Sequence, residues 1–200
     1  NFSTYYFEPF TETLKKYPNH DRVYSLYQQG INEKVIKPQF HGREHLNVHR
    51  WMEALQQSDE SVIEAFNQNM FSVHAQRHPE NKLEYMEAMD CDTPDQLRTM
   101  PAILSEGLEI FDSLWGYGSK SFIASCYIWR PEIEEVLFEK GVRYIQGTVN
   151  QVVPVMGSKY KYKRIYHFLG QHNKHRQRYL LRNAYFEPSH TPEMDTTGEC

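Results

Sequence analysis

The sequence predicts an α/β fold, in which helices pack against a sheet of parallel strands. Helical patterns alternate with short apolar runs, and residues 121–145 follow the order strand, helix, strand, which is typical of a parallel unit. The 200 residues are 40% hydrophobic and 14% aromatic, enough apolar surface to offset the conformational entropy lost on folding. The length fits a single domain, or a fragment of one.

The first half of the chain predicts mainly helices. Between residues 46 and 57, apolar side chains recur at the i, i+3, i+4 and i+7 spacing of an amphipathic helix, at Val48, Trp51, Met52 and Leu55. Ser58 is the expected cap of the helix that follows. The predicted helices cover residues 5–17, 21–36, 46–57, 59–70 and 81–89, with strands at 37–40 and 71–78.

The second half predicts one long helix followed by the parallel unit. The long helix opens on Thr93 and Pro94 and ends before Gly116, since a glycine commonly follows the last helical turn. Strands are expected at 121–129 and 142–145, with a helix starting at Pro131 between them. The tail from 159 to 182 predicts a hairpin that turns at residues 172–173.

The charge is unevenly distributed along the chain. The formal net charge is −4, yet residues 140–186 contain ten Lys and Arg residues and no Asp or Glu. This basic tail can attract an anion, or it can lie against acidic helices of the same chain. Nucleic acid is not an expected partner, because the whole chain is acidic and no nucleic-acid-binding motif accompanies the charge.

Membrane-spanning and disulfide-rich proteins are also disfavoured. No run approaches the ~18 apolar residues of a membrane span, and the sequence has no signal-peptide pattern. Cys91, Cys126 and Cys200 are too few and too scattered for a disulfide framework. Reduced thiols, and with them the cytoplasm, are favoured, and Cys126 is expected to be a small buried residue.

A histidine run suggests a metal site. His41, His45 and His49 are four residues apart, so consecutive rings would share a face if the segment were helical. With a strand ending at residue 40 and a helix beginning near 44, His41 and His45 are the expected ligands of a divalent metal, most plausibly zinc. By helical angle, His49 lies further toward the polar side of the segment than His45. The alternative is a helix start with surface histidines. His74 and His78 repeat the spacing.

The order of several motifs resembles the polysaccharide deacetylase superfamily, carbohydrate esterase family four. The matching segments are His41-Gly-Arg-Glu-His45, the long helix, Lys120-Ser-Phe-Ile-Ala-Ser-Cys-Tyr-Ile-Trp-Arg-Pro-Glu132 and Glu139-Lys-Gly-Val-Arg-Tyr-Ile145. The resemblance covers residues 37–150. It implies a distorted (β/α) barrel and metal-assisted hydrolysis of N- or O-acetyl groups on a bacterial-type polysaccharide or glycolipid, with His41 and His45 as metal ligands.

Some family features are missing. The family takes its third metal ligand and general base from an Asp pair after an earlier strand, and no such pair precedes Lys37. Asp90 and Asp92 come after the histidines and do not take these roles. Ile123 stands where related sequences place an arginine, and the late Leu-x-His acid has no match. The chain is therefore either an excerpt of a deacetylase or a relative without catalysis, and no catalytic residue is assigned.

Aromatic and basic residues are candidates for contacting the substrate. Phe122, Tyr127 and Trp129 can form a wall on which a sugar stacks, or they can pack in the core. Arg182 and Asn183 can hold an anionic group of the glycan, or form a turn after a strand. The leading function is a metal-dependent deacetylase. The alternatives are a non-catalytic glycan-binding domain and an anion-binding module that uses the basic tail.

Overall fold

The computed structural model describes residues 2–71, 85–159 and 161–184. These residues form a mixed α/β structure with two small sheets, which confirms the predicted class. They do not form a closed barrel. The predictions for residues 72–84, including His74 and His78, and for Cys200 fall outside the described residues.

The helices occupy the predicted regions but are mostly shorter. They are α1 (Phe10–Lys15), α2 (Val23–Asn32), α3 (Val48–Gln56), α4 (Glu60–Asn67), α5 (Pro94–Trp115) and α6 (Glu134–Glu139). The predicted helix at 81–89 is wrong for its described part, because residues 85–89 form turns. The cap of α4 is also corrected. Asp59 accepts the N–H groups of the first turn, whereas Ser58 has a φ of +58°.

Helix α5 confirms its sequence signals. The hydroxyl of Thr93 accepts the N–H of Gln96 at 3.2 Å, and the amide oxygen of Gln96 accepts the N–H of Thr93, forming a capping box. Gly116 ends the helix with a φ of +75°, a conformation that favours glycine. One face of α5 is buried in the core through Met100, Leu104, Leu108 and Phe111.

The main sheet is parallel. The strands of the chain are β1 (Ser121–Ile123), β2 (Tyr144–Gly147), β3 (Asn150–Pro154), β4 (Tyr162–Tyr166) and β5 (Arg178–Leu181). The order β1-β2-β5 is parallel throughout, which confirms the predicted strand–helix–strand unit. The predicted strand at 37–40 contributes a single bridge, in which Phe40 pairs in parallel with Phe122.

The predicted strand at 121–129 is too long. Strand β1 ends at Ile123, and a 3₁₀ turn follows at Ser125–Tyr127. Within this turn Cys126 and Tyr127 have positive φ angles of 54° and 57°, which are uncommon for residues with a side chain. Cys126 is exposed rather than buried, because the chain turns away from the sheet before reaching it.

The predicted hairpin at 159–182 is wrong in its pairing. Strand β4 pairs antiparallel with β3, not with β5, and β5 pairs in parallel with β2. An antiparallel bridge between His172 and Arg178, with the backbone bonds next to it, joins the two halves of the tail. The pairing of β5 with β2 places Tyr179 in the core, where it is 5% exposed. Burial of apolar surface therefore decides the pairing.

The core has two parts. The larger cluster lies between the parallel sheet, α5 and α6, and contains Phe40, Phe122 and Ile145. The smaller cluster joins α3 to α4 through Trp51, Leu55 and Val62. Among the described residues, every helix is too short or too polar to cross a bilayer.

Candidate functional site

The carboxyl ends of the parallel strands meet at one edge of the main sheet, where α/β folds commonly bind ligands. His41 directly follows the bridge residue Phe40, and Arg182 directly follows β5. Tyr127 lies in the turn after β1, and the guanidinium of Arg182 lies 5.5 Å from the centre of its ring. Residues far apart in the sequence therefore converge on this edge.

The ring of His41 is oriented by a backbone contact. Its Nδ1 lies 2.8 Å from the carbonyl oxygen of Ile123, at the end of β1. Because a carbonyl oxygen can only accept, Nδ1 carries the proton and Nε2 is left with a lone pair. A hydrogen bond from one ring nitrogen to a backbone carbonyl is the usual way to orient a histidine metal ligand.

His45 lies beside His41. The two ring centres are 4.9 Å apart, with 62° between the ring planes. The Nδ1 atom of His45 is buried and has no hydrogen-bond partner among the described residues, which is unusual for a buried polar atom and calls for a ligand or another explanation. Two imidazole rings thus lie side by side, and one of them has a buried nitrogen without a partner among the described residues.

The predicted reason for this pairing is wrong, although the rings do come together. Helix α3 begins at Val48, so His45 is not in a first helical turn and the four-residue spacing does not act through a helix. The loop 41–47 brings the rings together instead. Gly42 has a φ of +123°, a conformation that L residues with a side chain rarely adopt.

Helix α5 packs closely against this loop. A Cβ atom at Gly107 would lie 2.9 Å from the Cβ and 3.0 Å from the Cα of Arg43. The absence of a side chain at Gly107 therefore lets the helix backbone reach the loop. This close approach fixes the position of the loop relative to the core.

Ionic contacts of Arg43 further restrain the loop. Its guanidinium donates to Glu44 at 2.8 Å and also bonds to Glu106 of α5. The ring of Phe7 lies 4.9 Å from the same guanidinium, a cation–π distance. The hydrogen bond with Glu44 is the main cause that raises the pKa of Arg43 above its ordinary value. The histidine loop is thus held from two sides.

The surroundings keep His41 neutral at physiological pH. Partial burial lowers the pKa of His41, the hydrogen bond to Ile123 opposes this effect, and electrostatic interactions with His45 and Arg182 lower the pKa further. A neutral imidazole is the form that binds a metal ion.

His49 does not join the pair. It is exposed at the start of α3, and its Nε2 is 3.4 Å from the hydroxyl of Thr99. Across residues 2–71, 85–159 and 161–184, no group of three or more His, Cys, Asp and Glu side chains is arranged to hold a metal ion. The two imidazoles are the ligand type that zinc prefers, and the described residues do not supply a third ligand beside them.

Asp90 and Asp92 belong to a different cluster, around the buried side chain of Arg50. Arg50 donates to both oxygens of Asp92 at 3.0 and 2.9 Å and lies 2.8 Å from Asp90. The hydroxyl of Tyr162 donates to Asp90 at 2.7 Å. Both aspartates therefore have charged or hydrogen-bonding partners within the protein.

No protein-family model, curated protein or solved structure matches this chain. The same fold can host unrelated functions, so the functional hypothesis depends on the geometry of His41, His45 and Arg182 and on the resemblance of the sequence motifs.

The candidate substrate residues separate into two groups. Phe122 and Trp129 are 0% and 1% exposed, so the core-packing alternative holds for both and neither ring face is open to a sugar. Tyr127 is partly exposed, and Arg182 and Asn183 are exposed beyond β5. The residues that can contact a substrate are therefore Tyr127, Arg182 and Asn183.

Two buried polar clusters were not predicted from the sequence. Arg50 lies four residues before the buried Ala54. Helical spacing therefore places Arg50 on the apolar face of α3, and this pattern could have predicted its burial. The other centre is Glu134, which accepts from Trp129 at 3.1 Å, Tyr179 at 2.9 Å and Asn173 at 2.8 Å. Glu134 is next to other acidic residues, and no sequence signal distinguishes it from them.

Proposed function

We propose that this chain is a metal-dependent deacetylase that hydrolyses N- or O-acetyl groups of a polysaccharide or glycolipid. The proposal extends to the architecture: the parallel strands belong to a distorted (β/α) barrel. The observation that carries it is the pairing of His41 and His45 at the carboxyl edge of the sheet, with a buried ring nitrogen that finds no partner in the part of the chain that the structure describes. The order of the sequence motifs supports it independently.

His41 and His45 would hold a divalent cation, with zinc as the best match to imidazole ligands. When bound, such an ion lowers the pKa of water and polarises the acetyl carbonyl, the two requirements for hydrolysing an amide or ester. His41 contributes an Nε2 lone pair, because Ile123 fixes the proton on Nδ1. The close packing of Gly107 against Arg43 keeps the rings in place.

Arg182 and Tyr127 would position the glycan. The guanidinium of Arg182 lies over the ring of Tyr127, and it is close enough to His41 to affect the pKa of that ring. A positive charge at this place attracts a carboxylate or phosphate substituent of the sugar. The partly exposed ring of Tyr127 offers a surface for the apolar face of a sugar ring.

A non-catalytic glycan- or anion-binding domain is the second candidate. It is favoured by the absence of a third metal-ligating side chain beside the histidine pair in the part of the chain that the structure describes. In this case Arg182 and Tyr127 bind the glycan, and no acetyl group is removed.

Acetate release from an acetylated glycan tests the deacetylase directly. The purified chain is incubated with N-acetylglucosamine oligomers and with O-acetylated xylan, in the presence of zinc and after treatment with a chelator. We expect acetate release from at least one glycan, its loss with the chelator, and its recovery when zinc is added. His41→Ala and His45→Ala abolish activity, whereas His49→Ala serves as the matched control.

Two results contradict the deacetylase. Acetate release that persists in His41→Ala and His45→Ala would remove the histidine pair from the reaction. Binding of the glycans without acetate release, weakened by Arg182→Ala, would establish the second candidate in its place.

A further inference from the structure

The basic tail contains a lobe whose exposed side chains take no part in the proposed reaction or in the core. We call residues 161–178, which run from the start of β4 to the start of β5, the basic lobe. It contains the cations Lys161, Lys163, Arg164, Lys174, Arg176 and Arg178 and no acidic residue. All six side chains belong to exposed residues, and none of them forms an ion pair within the described part of the chain.

An apolar tip projects from the basic lobe. Phe168 and Leu169 are 70% and 68% exposed, and the neighbouring Tyr166 is 67% exposed. The tip is an ordered turn: Gln171 donates its N–H to the carbonyl of Phe168 at 3.1 Å, and its side-chain oxygen accepts the N–H of Phe168 at 3.0 Å. Adjacent large apolar side chains held outward by a fixed turn are costly in water and indicate a binding surface.

Backbone pairing fixes this turn to the main sheet. Gly170, with a φ of +82°, donates its N–H to Tyr179 of β5, and Tyr179 donates its own N–H to Gln171, both at 2.9 Å. The second turn of the lobe, at 173–177, carries Lys174 and Arg176 and is closed by the bond from Asn173 to Gln177 at 3.0 Å. The same short segment therefore presents both the apolar tip and exposed cations.

We propose that the basic lobe docks this protein on the surface of an anionic lipid bilayer. Cations near such a surface attract its headgroups, while Phe168 and Leu169 enter the boundary between headgroups and acyl chains, as interfacial apolar residues do. Tyr166 suits the same boundary because it has an apolar ring and a polar hydroxyl. A soluble polyanion would use the cations but would leave the apolar tip in water, so the bilayer accounts for both features.

Vesicle co-sedimentation tests this docking. The purified 200-residue chain is mixed with vesicles of phosphatidylcholine alone, or of equal parts phosphatidylcholine and phosphatidylglycerol. We expect binding to the anionic vesicles, weak binding to the neutral ones, and a decrease as salt screens the charges. Phe168→Ser with Leu169→Ser weakens binding at least roughly tenfold. Lys163→Gln, Arg164→Gln and Arg176→Gln together weaken it roughly 100-fold, at about fivefold per cation.

Matched controls come from elsewhere on the surface. Leu26→Ser with Val35→Ser removes two apolar side chains that are 54% and 74% exposed. Arg22→Gln, Lys34→Gln and Lys120→Gln remove three exposed cations and the same net charge. Both sets should keep vesicle binding, and circular dichroism checks that every variant is folded.

Three outcomes would overturn the proposal. The first is that the chain binds neutral and anionic vesicles equally. The second is that a lobe variant and its matched control lose the same amount of binding. The third is that vesicle binding does not change when Phe168 and Leu169 are replaced. In the last case, tight binding of the soluble polyanion heparin would identify the basic lobe as a polyanion site instead. None of these results depends on deacetylase activity.

Discussion

Two polar clusters begin in the same short segment, residues 41–50, and they differ in how their groups are partnered. In the Arg50 cluster the guanidinium bonds to both oxygens of Asp92, and Asp90 accepts from Arg50 and Tyr162. In the histidine pair, His41 has one backbone contact and the buried Nδ1 of His45 has no partner among the described residues.

A missing partner within the described residues therefore distinguishes the histidine pair from the Arg50 cluster, although the same feature recurs at His167 inside the core. Buried charges that bond to one another join distant segments, and here they connect α3, the loop before α5 and strand β4. A buried nitrogen without a partner carries a desolvation cost. A metal ion would remove that cost at the histidine pair, whereas the Arg50 cluster has no comparable need.

The largest effect is expected from Asp92→Ala. This substitution removes the bidentate partner of the Arg50 guanidinium, which is 6% exposed as a residue and keeps Asp90 at 2.8 Å, and breaking a buried ion pair costs up to about 3–5 kcal/mol. Urea denaturation should show this loss in the free energy of unfolding. The folded fraction should still bind zinc, because the two clusters act separately.

Glu109→Ala is the control for Asp92→Ala. It breaks the exposed ion pair with Lys140, and exposed pairs contribute little to stability, so the unfolding midpoint should not change. If Asp92→Ala were as stable as Glu109→Ala, the structural role of the Arg50 cluster would be refuted.

A smaller effect is expected from Gly107→Ala, which tests how the histidine loop is held. The new Cβ would lie 2.9–3.0 Å from Arg43 Cβ and Cα, and overpacking of this kind typically costs about 1–3 kcal/mol. The loop must shift, so zinc binding should weaken together with stability. Gly118→Ala is the matched control, since a Cβ there meets nothing within 4 Å. Unchanged zinc affinity in Gly107→Ala would show that the packing does not position the rings.

The smallest effect is expected from replacing His167. This residue extends the comparison with His45, because its Nδ1 is also buried and has no partner within the described residues. Its ring stacks on Tyr179 with the ring centres 3.8 Å apart, and its Nε2 is 2.8 Å from the side-chain oxygen of Gln151. Burial lowers the pKa of His167 below its ordinary value of 6.5. This histidine is a neutral part of the core rather than a ligand.

The sign of the resulting pH dependence follows from this lowered pKa. As the pH falls below 6.5, the unfolded chain binds a proton at residue 167 that the folded chain does not, so stability decreases. In His167→Phe, which keeps the ring stack, the free energy of unfolding should fall less steeply between pH 6.5 and 5. Leu26→Ser with Val35→Ser, which changes no titrating group at these exposed positions, should keep the wild-type slope. Equal slopes in wild type and His167→Phe would contradict the account of His167.

Local signals predicted much of the fold, and tertiary pairing explains most of the errors. Helix α5 has both of its ends encoded by neighbours, Thr93 with Gln96 and Gly116. The pairing of β4 and β5 depends on partners far along the chain, β3 and β2, which periodicity cannot identify. The turn at Cys126 was missed because its apolar neighbours match a strand pattern.

The sequence predicted which two histidines lie together, but not how the chain brings them together. The spacing of His41 and His45 picked out two rings that do lie side by side, but a loop rather than a helix joins them. Gly107 and Ile123 position the pair from 66 and 82 residues away, a distance over which sequence patterns carry no signal. Phe122 and Trp129 were likewise not resolved from the sequence, because an aromatic residue in a strand pattern can lie on either the buried or the exposed face.

Zinc titration by calorimetry tests the central claim most directly. The account predicts that the wild-type chain binds one equivalent of zinc through His41 and His45. His41→Ala and His45→Ala should each weaken binding by at least roughly 100-fold, since losing even an outer partner of a metal ligand costs ~10–100-fold, while His49→Ala should bind like wild type. Absence of zinc binding by the wild-type chain, or full affinity in His45→Ala, would contradict the account.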